Sequence, residues 1–462
     1  METVVSNSIP GCPGCRVLEA RLLVLETQLR DLQDKLTRPP GKRPFEPLPP
    51  GPQKKPTGKK RGAQKGHGPH LKKRMPPERV ATIIPYVPTQ CEKCDTALSA
   101  VAGANDPEPT IHQVAELPSL LAVITEHQGH ARTCSNPQCG HITHTRIPAD
   151  AMANAFGPNL TATIAYLSGA HGMSKRGLEE TVETLFGVPI SLGTIANLEQ
   201  ETRAALDPAY EQARTHVAEA PVKNVDETGW KEAGKKRWLW AAATPKVALF
   251  LIHPRRSIDA LKLMLGQLAG VLVSDRWKVY DHWDVDSRQL CWAHIARNWE
   301  TLAEKGSAKT QALATQWQTI QHRVFERWHS FRGGGLTRSQ LSDQLVPHVE
   351  ALRAILDAGM RSHDTRLSRF CANLSPQFPL LWLFTEVEGV DPTNNHAERV
   401  QRRAVLWRKK SFGNQSPSGC RFVERILTVI QSLRLQKRNA LEFLRETIAH
   451  HRHGLPTPAL CS

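Results

Sequence analysis

Leu18, Leu22, Leu25, Leu29, Leu32 and Leu36 recur at alternating spacings of four and three, with charged residues between them. That heptad seam predicts a leucine-zipper-like helix over 1–37, which either pairs with another copy as a coiled coil or docks on its own protein. Residues 38–79 have no periodicity and almost no large apolar side chain, so they predict a disordered, basic, Pro-rich arm. In residues 80–150 the β-prone stretches VATIIPYV and LLAVITEH surround two cysteine pairs. Helical periodicity returns over 151–220. One helix is predicted at 158–170 and a second over SKRGLEETVETLF. A third starts at the capping residue Ser191, after the break Gly187-Val188-Pro189. Helix, Gly-containing turn and helix is the pattern of a helix-turn-helix DNA-binding module, and also of a plain helical hairpin.

From Val222 the rhythm changes to strands. VKNVD ends in Asp226; RWLWAAAT and VALFLIH follow as a hairpin around Pro245-Lys246. The helix SIDALKLMLGQL leads into the buried strand GVLVS, which ends at Asp275, and RQLCW is a fifth strand before the helix AHIARNWETLAE. This order predicts a ribonuclease-H-like (retroviral-integrase-like) α/β catalytic core, whose first part spans 221–305. In that fold the first and fourth strands are neighbours, so Asp226 and Asp275 meet at one edge of the sheet. Three further helical stretches, separated by Gly333-Gly334-Gly335 and Ser362-His363-Asp364, predict an α-helical insertion over 306–391. Residues 392–462 carry the second part of the core and C-terminal helices.

Composition changes this picture mainly through charge. The 462 residues hold 60 Lys or Arg against 44 Asp or Glu, a net +16, which points to a polyanionic partner. The arm alone has 13 Lys or Arg against 2 Glu, together with 11 prolines. Lys59, Lys60, Arg61 and Lys65 within it suit phosphate contacts, against the alternative of a solvated linker. Lys175 and Arg176, at the start of the second predicted helix, are further DNA-contact candidates. All 11 tryptophans lie between Trp230 and Trp407, which places the main core there. No apolar run is long enough to cross a membrane, and no basic-then-apolar leader opens the chain. A cytoplasmic, nucleoid-associated protein is therefore expected.

Cys91-x-x-Cys94 and Cys134-x4-Cys139 have the makings of a structural zinc ribbon: each knuckle supplies two thiolates from a tight turn, and two turns close a tetrahedron. His141 and His144 are near enough to replace a thiolate, and four ordinary reduced cysteines are the alternative. Cys12-x-x-Cys15 alone carries no assignment.

Two carboxylates at a shared strand edge suit Mg²⁺ or Mn²⁺, hard cations that take oxygen ligands. A pair of ions about 4 Å apart activates a nucleophile and stabilises the leaving oxygen of an in-line phosphoryl displacement. Glu398 is the candidate third ligand. It stands in a helix crowded with Arg399, Arg402, Arg403, Arg408, Lys409 and Lys410. Arg399, Arg402 and Lys409 join the DNA-contact candidates. Other acids fit less well. Glu227 points to the opposite face from Asp226. Asp281, Asp284 and Asp286 lie beyond the strand end, and Glu424 reads as part of an intrahelical salt-bridge face with Arg421 and Arg425. Cys291 and His294 provide only two ligands and read as a core thiol and a helix-start histidine.

The blocks VDETGW…GKKRWLWAAAT, LVSDRWKVYDHW, QLCWAHIARNW and TNNHAER…RKKSFG resemble the insertion sequence sixty-six family of bacterial DDE transposases. The arm's GAQKGH and the cysteine module are also similar to that family. The resemblance implies that Asp226, Asp275 and Glu398 are the DDE triad, with Cys291, His294 and Asn395 as accessory residues nearby. It implies metal-dependent cleavage and strand transfer at terminal inverted repeats and into target double-stranded DNA. A homodimer or higher assembly and accessory proteins of the same element are expected partners. A nuclease of the same fold and a domesticated, non-catalytic DNA-binding protein are the competing readings.

Overall fold

The computed structural model describes residues 74–101, 103, 106–117 and 120–461. The leucine seam, Cys12, Cys15, and the arm residues Lys59, Lys60, Arg61 and Lys65 lie outside them. The chain divides into two units, Met1–Glu116 and Leu117–Ser462. In the first, the Cys91–Cys94 turn is closed by Cys91 N–H donating to Thr96 O and Asp95 N–H to Cys91 O, both at 2.9 Å. A single bridge, Gln90 to Ala97, flanks it. VATIIPYV forms no strand: Ile83, Ile84 and Tyr86 are exposed, and among the described residues the segment has no ladder partner to hold its backbone extended.

In the second unit, β1 (Ala131–Thr133) and β2 (Ile142–His144) form an antiparallel hairpin around Cys134 and Cys139. LLAVITEH forms no strand either, for the same reason, and Val123 is exposed. After the short α1 (Ala149–Met152) come α2 (Pro158–His171), α3 (Lys175–Phe186) and α4 (Leu192–Glu219). Ser174 caps α3 and Ser191 caps α4, each side chain accepting a backbone N–H in the first turn. The third helix runs further than its sequence pattern, to Glu219, with Pro208 in its interior. Packing outweighs that defect: Ala205, Leu206, Ala209, Tyr210, Ala213 and Val217 are buried in the sheet's core. Its first half packs Ile195 and Leu198 against Ile164, Leu178 and Val182. One helix thus serves both the three-helix cluster and the sheet. The seam is tight, since a Cβ on Gly169 of α2 would lie 2.2 Å from Ile426.

The sheet comprises β3 (Val222–Glu232), β4 (Lys235–Ala243), β5 (Ala248–His253), β6 (Val271–Ser274) and β7 (Arg288–Leu290), in the order β5-β4-β3-β6-β7. The first three are antiparallel, while β6 and β7 run parallel to β3. The first and fourth strands of the sheet are therefore neighbours. The helix α5 (Ile258–Leu265) links β5 to β6, and α6 (Trp292–Lys305) follows β7.

The free edge of β5 is closed by side chains. From α11 (Pro417–Leu435), Ser432 Oγ, Thr428 Oγ1 and Glu424 Oε1 accept the N–H groups of Ala248, Phe250 and Ile252 at 3.0, 3.0 and 2.7 Å. Four residues of helix rise about 6 Å and two of strand about 6.6 Å, so alternate strand amides meet every fourth helix residue. The Arg421–Glu424 pair read from the sequence exists, but Glu424 is fully buried and also serves this edge.

Residues 306–391 are helical, with α7 (Ala308–Arg332), α8 (Arg338–Met360) and α9 (Thr365–Leu374). With α6 they enclose a second core. Trp299 stacks on Trp317, and Trp292 donates its indole N–H to Leu381 O at 2.7 Å. The chain returns through α10 (Asn395–Ser411) and ends after α12 (Ala440–Arg452). Among the described residues, no helix is long and apolar enough to cross a membrane.

Candidate active site

Asp226 lies on β3 and Asp275 directly follows β6. Asn224 is level with Val273, so two more residues along the parallel register bring Asp226 level with Asp275. Glu398 comes from the first turn of α10, which lies along β3 and β4. Three elements distant in sequence thus place the expected acids where their charges act on one another, although among the described residues it is Cys291, His294 and Glu398, not the three acids, whose ligand atoms gather within 4.8 Å. Asp226 shows the result electrostatically. Burial pushes its pKa up to about 7, and the charges of Glu227, Asp275 and Glu398 push the same way.

α10 is held to β3 by a stripe of polar side chains at helical spacing: Asn394, Gln401 and Arg408. Asn394 is fully buried. Its Nδ2 donates to Val225 O at 2.7 Å, its Oδ1 accepts from Asn224 Nδ2 at 3.0 Å, and its N–H donates to Cys291 Sγ at 3.1 Å. The amide of Gln401, turned so that both ends are satisfied, donates to Asp226 Oδ2 at 3.0 Å and accepts from Thr228 N–H at 3.2 Å. Arg408 donates to Thr228 Oγ1 and to Gly229 O. Past the helix, Gly413 at φ +105° approaches β3 so closely that a Cβ would sit 2.2 Å from Lys231 O. Asn414 Oδ1 then accepts the indole N–H of Trp230 at 2.9 Å.

Neighbouring acids take other roles. Glu227 is buried, paired with Arg256 and hydrogen-bonded by Tyr280 OH. Burial raises its pKa, and these donors oppose the rise. Asp281 pairs with Arg288. Asp275 accepts Trp277 N–H at 2.9 Å.

The cation touching Glu398 comes from α6 rather than from its own helix: Arg297 Nη2 is 3.2 Å from Glu398 Oε1. Arg399, Arg402 and Lys409 are exposed along α10, whereas Arg408 is turned inward onto β3. Arg176 is exposed at the start of α3. Its neighbour Lys175, expected to contact DNA, instead pairs with Glu199, which Ser168 also hydrogen-bonds at 2.8 Å. That pairing leaves its charge locally neutralised. Asn395 is exposed at the first residue of α10, and it is Asn394 that is buried against the strand.

Cys291 caps the start of α6 and His294 lies in its first turn. One ligand atom each from Cys291, His294 and Glu398 lies within 4.8 Å of the other two. The sequence showed only two ligands there; the structure adds Glu398 as the third. Burial, then Arg297, lowers the His294 pKa, while Asp275 and Glu398 oppose the shift. Burial raises the Cys291 thiol, and backbone N–H groups led by Asn394 pull it back.

Cys94 Sγ lies 3.2 Å from Thr96 Oγ1, and that hydrogen bond lowers its pKa. In the other turn, Cys134 N–H donates to His141 O at 2.8 Å and Cys139 N–H to Asn136 O at 2.9 Å.

Residues 154–421, more than half of the chain, match the family described as Transposase IS66 family. An uncharacterized protein, y4qI of Sinorhizobium fredii (strain NBRC 101917 / NGR234), is 21% identical over 94% of this chain and 80% of its own length.

Proposed function

Because the chain belongs to the IS66 family of transposases, we propose that it cuts DNA at the ends of its element and joins them to target DNA, with Asp226, Asp275 and Glu398 as the acidic triad. The carrying observation is a half-buried Asp226 on β3 whose ionised form is disfavoured by partial burial and by the charges of Asp275 and Glu398, brought to it from β6 and α10. The mixed sheet, with order β5-β4-β3-β6-β7 and one antiparallel strand pair on each side of β4, supports a ribonuclease-H-like reading of the core.

The donor set consists of hard carboxylate oxygens. Asp226 has two neutral donors, the Gln401 amide and the Glu227 N–H, and acidic neighbours, so a divalent cation would supply the counter-charge that its half-buried carboxylate lacks. Bound there, Mg²⁺ or Mn²⁺ ions would acidify an attacking water or hydroxyl and stabilise the leaving oxygen. The protein's own residues set the geometry. Gln401 fixes one oxygen of Asp226, and Asn394 locks the start of the Glu398 helix to the Asp226 strand. Arg399, Arg402 and Lys409, exposed along α10, are placed to meet phosphates beside the acids. Hydrolysis would leave a 3′-hydroxyl at the element's end, and that hydroxyl would then displace a target phosphodiester in line. A dimer or larger assembly would hold the two ends. The Cys91/Cys94 turn and the Cys134/Cys139 turn each keep the thiolate pair that a zinc knuckle requires.

A strand-transfer assay tests this reading, using labelled terminal-repeat DNA and Mg²⁺. Wild-type protein is expected to join the label to target DNA. Asp226→Asn, Asp275→Asn and Glu398→Gln should each lose at least about a thousandfold, the scale of removing one transition-state contact. Joining that survives any of the three removes that residue from the triad, and cleavage without joining would mark a nuclease.

A further inference from the structure

We infer that Cys291, His294 and Glu398 form a second cation site, softer than the acidic one and suited to Zn²⁺, that shares Glu398 with it. Their ligand atoms already lie within 4.8 Å of one another. Zinc ligands in a tetrahedron at 2.0–2.3 Å stand roughly 3.3–3.8 Å apart, so only a small contraction is needed. His294 Nε2 to Glu398 Oε1 is 3.8 Å. The ring's other nitrogen, Nδ1, is buried and has no hydrogen-bond partner among the described residues.

The ligand types fit a borderline-soft ion. Thiolate, imidazole and carboxylate together favour zinc over magnesium, which takes oxygen alone. The surroundings also fit. Asn394 N–H points at Cys291 Sγ at 3.1 Å, a bond that supports a thiolate, and Cys291 sits at a helix start, where backbone N–H groups favour negative charge. His294 and Glu398 are each about one-third exposed, which leaves an open side for a fourth ligand. Arg297 now occupies that carboxylate at 3.2 Å, but its side chain is 55% exposed and free to swing away.

Binding itself does not depend on the transposase reading. Only the consequence does: zinc here would take Glu398 from the acidic site, so zinc would oppose magnesium-supported joining. The probe is Co²⁺, titrated into the full chain and read by its thiolate charge-transfer absorption and by bound equivalents. Wild type is compared with Cys291→Ser and His294→Ala, because the turn cysteines contribute equally to all three. We expect each variant to bind one equivalent fewer, with a weaker charge-transfer band in Cys291→Ser. Far-UV circular dichroism confirms folding, and His294→Ala tests the site without opening the buried thiol position. Equal equivalents and equal bands in all three proteins would overturn the inference. A chain that fails to join DNA yet shows the extra equivalent keeps this site and loses the transposase reading; one that joins DNA with equal stoichiometry does the reverse.

Discussion

Glu424 and Asp226 are both withdrawn from water at the same sheet, Glu424 fully and Asp226 in part, and their surroundings differ. Glu424, on α11, is fully buried, and burial raises its pKa, while Arg421, the N–H of Ile252 and Arg425 oppose that rise. Asp226, on β3, has other acids for neighbours and, among the described residues, no cation partner, only the Gln401 amide and the Glu227 N–H as donors, and its pKa stands at about 7. The first group holds an edge strand to a helix and has its partners in place. The second is left short of positive charge where the charges of Glu227, Asp275 and Glu398 all act on it. A buried acid whose partners are missing marks a place where something else must bind, whereas a satisfied one marks architecture.

This contrast can be broken from either side. The largest effect should come from Glu424→Ala, which strands the Ile252 N–H and removes a buried partner from Arg421 and Arg425, leaving Arg425 only Asp207 as an acidic partner among the described residues. Denaturant unfolding should show a loss of about 3–5 kcal/mol, as for breaking a buried ion pair. If the loss is under about 1 kcal/mol, the two acids are not different in kind. Asp226→Asn should move the other way in metal-free buffer. Its folded pKa is raised, so the native state holds a proton that the unfolded chain releases. The contribution of Asp226 to wild-type stability is therefore greatest below about pH 4 and falls as the pH rises through about 7. The Asn variant should be more stable by roughly 2–4 kcal/mol at pH 8, and the gain should vanish near pH 4. A pH-independent difference would remove burial of charge as its cause.

Smaller effects sharpen the comparison further. Asn394→Ala unties α10 from β3 and leaves Val225 O and Asn224 unpaired, so unfolding should show a loss of about 1–3 kcal/mol. Its joining rate should fall as well, because Glu398 loses its fixed place. Unchanged joining would deny the positioning role. Ser432→Ala removes one of three edge acceptors beside Glu424 and should cost about 1 kcal/mol with joining unaffected.

Much of this was legible in the sequence. The strand before Asp275 announces itself by an apolar run that stops at an acid, and Ser174 and Ser191 mark their helix starts; the strand expected to end at Asp226 instead runs on to Glu232, because β4 pairs with it along that whole length. What the pattern could not show was polar burial. Asn394, Gln401 and Arg408 look like a solvated helix face, yet they are the side that meets β3. The spacing of four in Glu424, Thr428 and Ser432 was readable, but its partner is an edge strand that only the fold supplies. Lys175 looked free because its partner, Glu199, is 24 residues away. Glu398 appeared surrounded by its own helix's cations, while its real neighbours, Arg297, His294 and Cys291, come from α6. In the cysteine region, β-prone composition overstated the strands, because composition does not provide a ladder partner.

The most direct test of the central claim is Mn²⁺ binding, followed by electron paramagnetic resonance of the free ion, in wild type, Asp226→Asn, Asp275→Asn, Glu398→Gln and Ser432→Ala. If Asp226, Asp275 and Glu398 form one site awaiting a cation, each of the three acid variants should bind at least about tenfold more weakly, a loss of about 1.4 kcal/mol, and Ser432→Ala should match wild type. Equal affinity across all five proteins would contradict it.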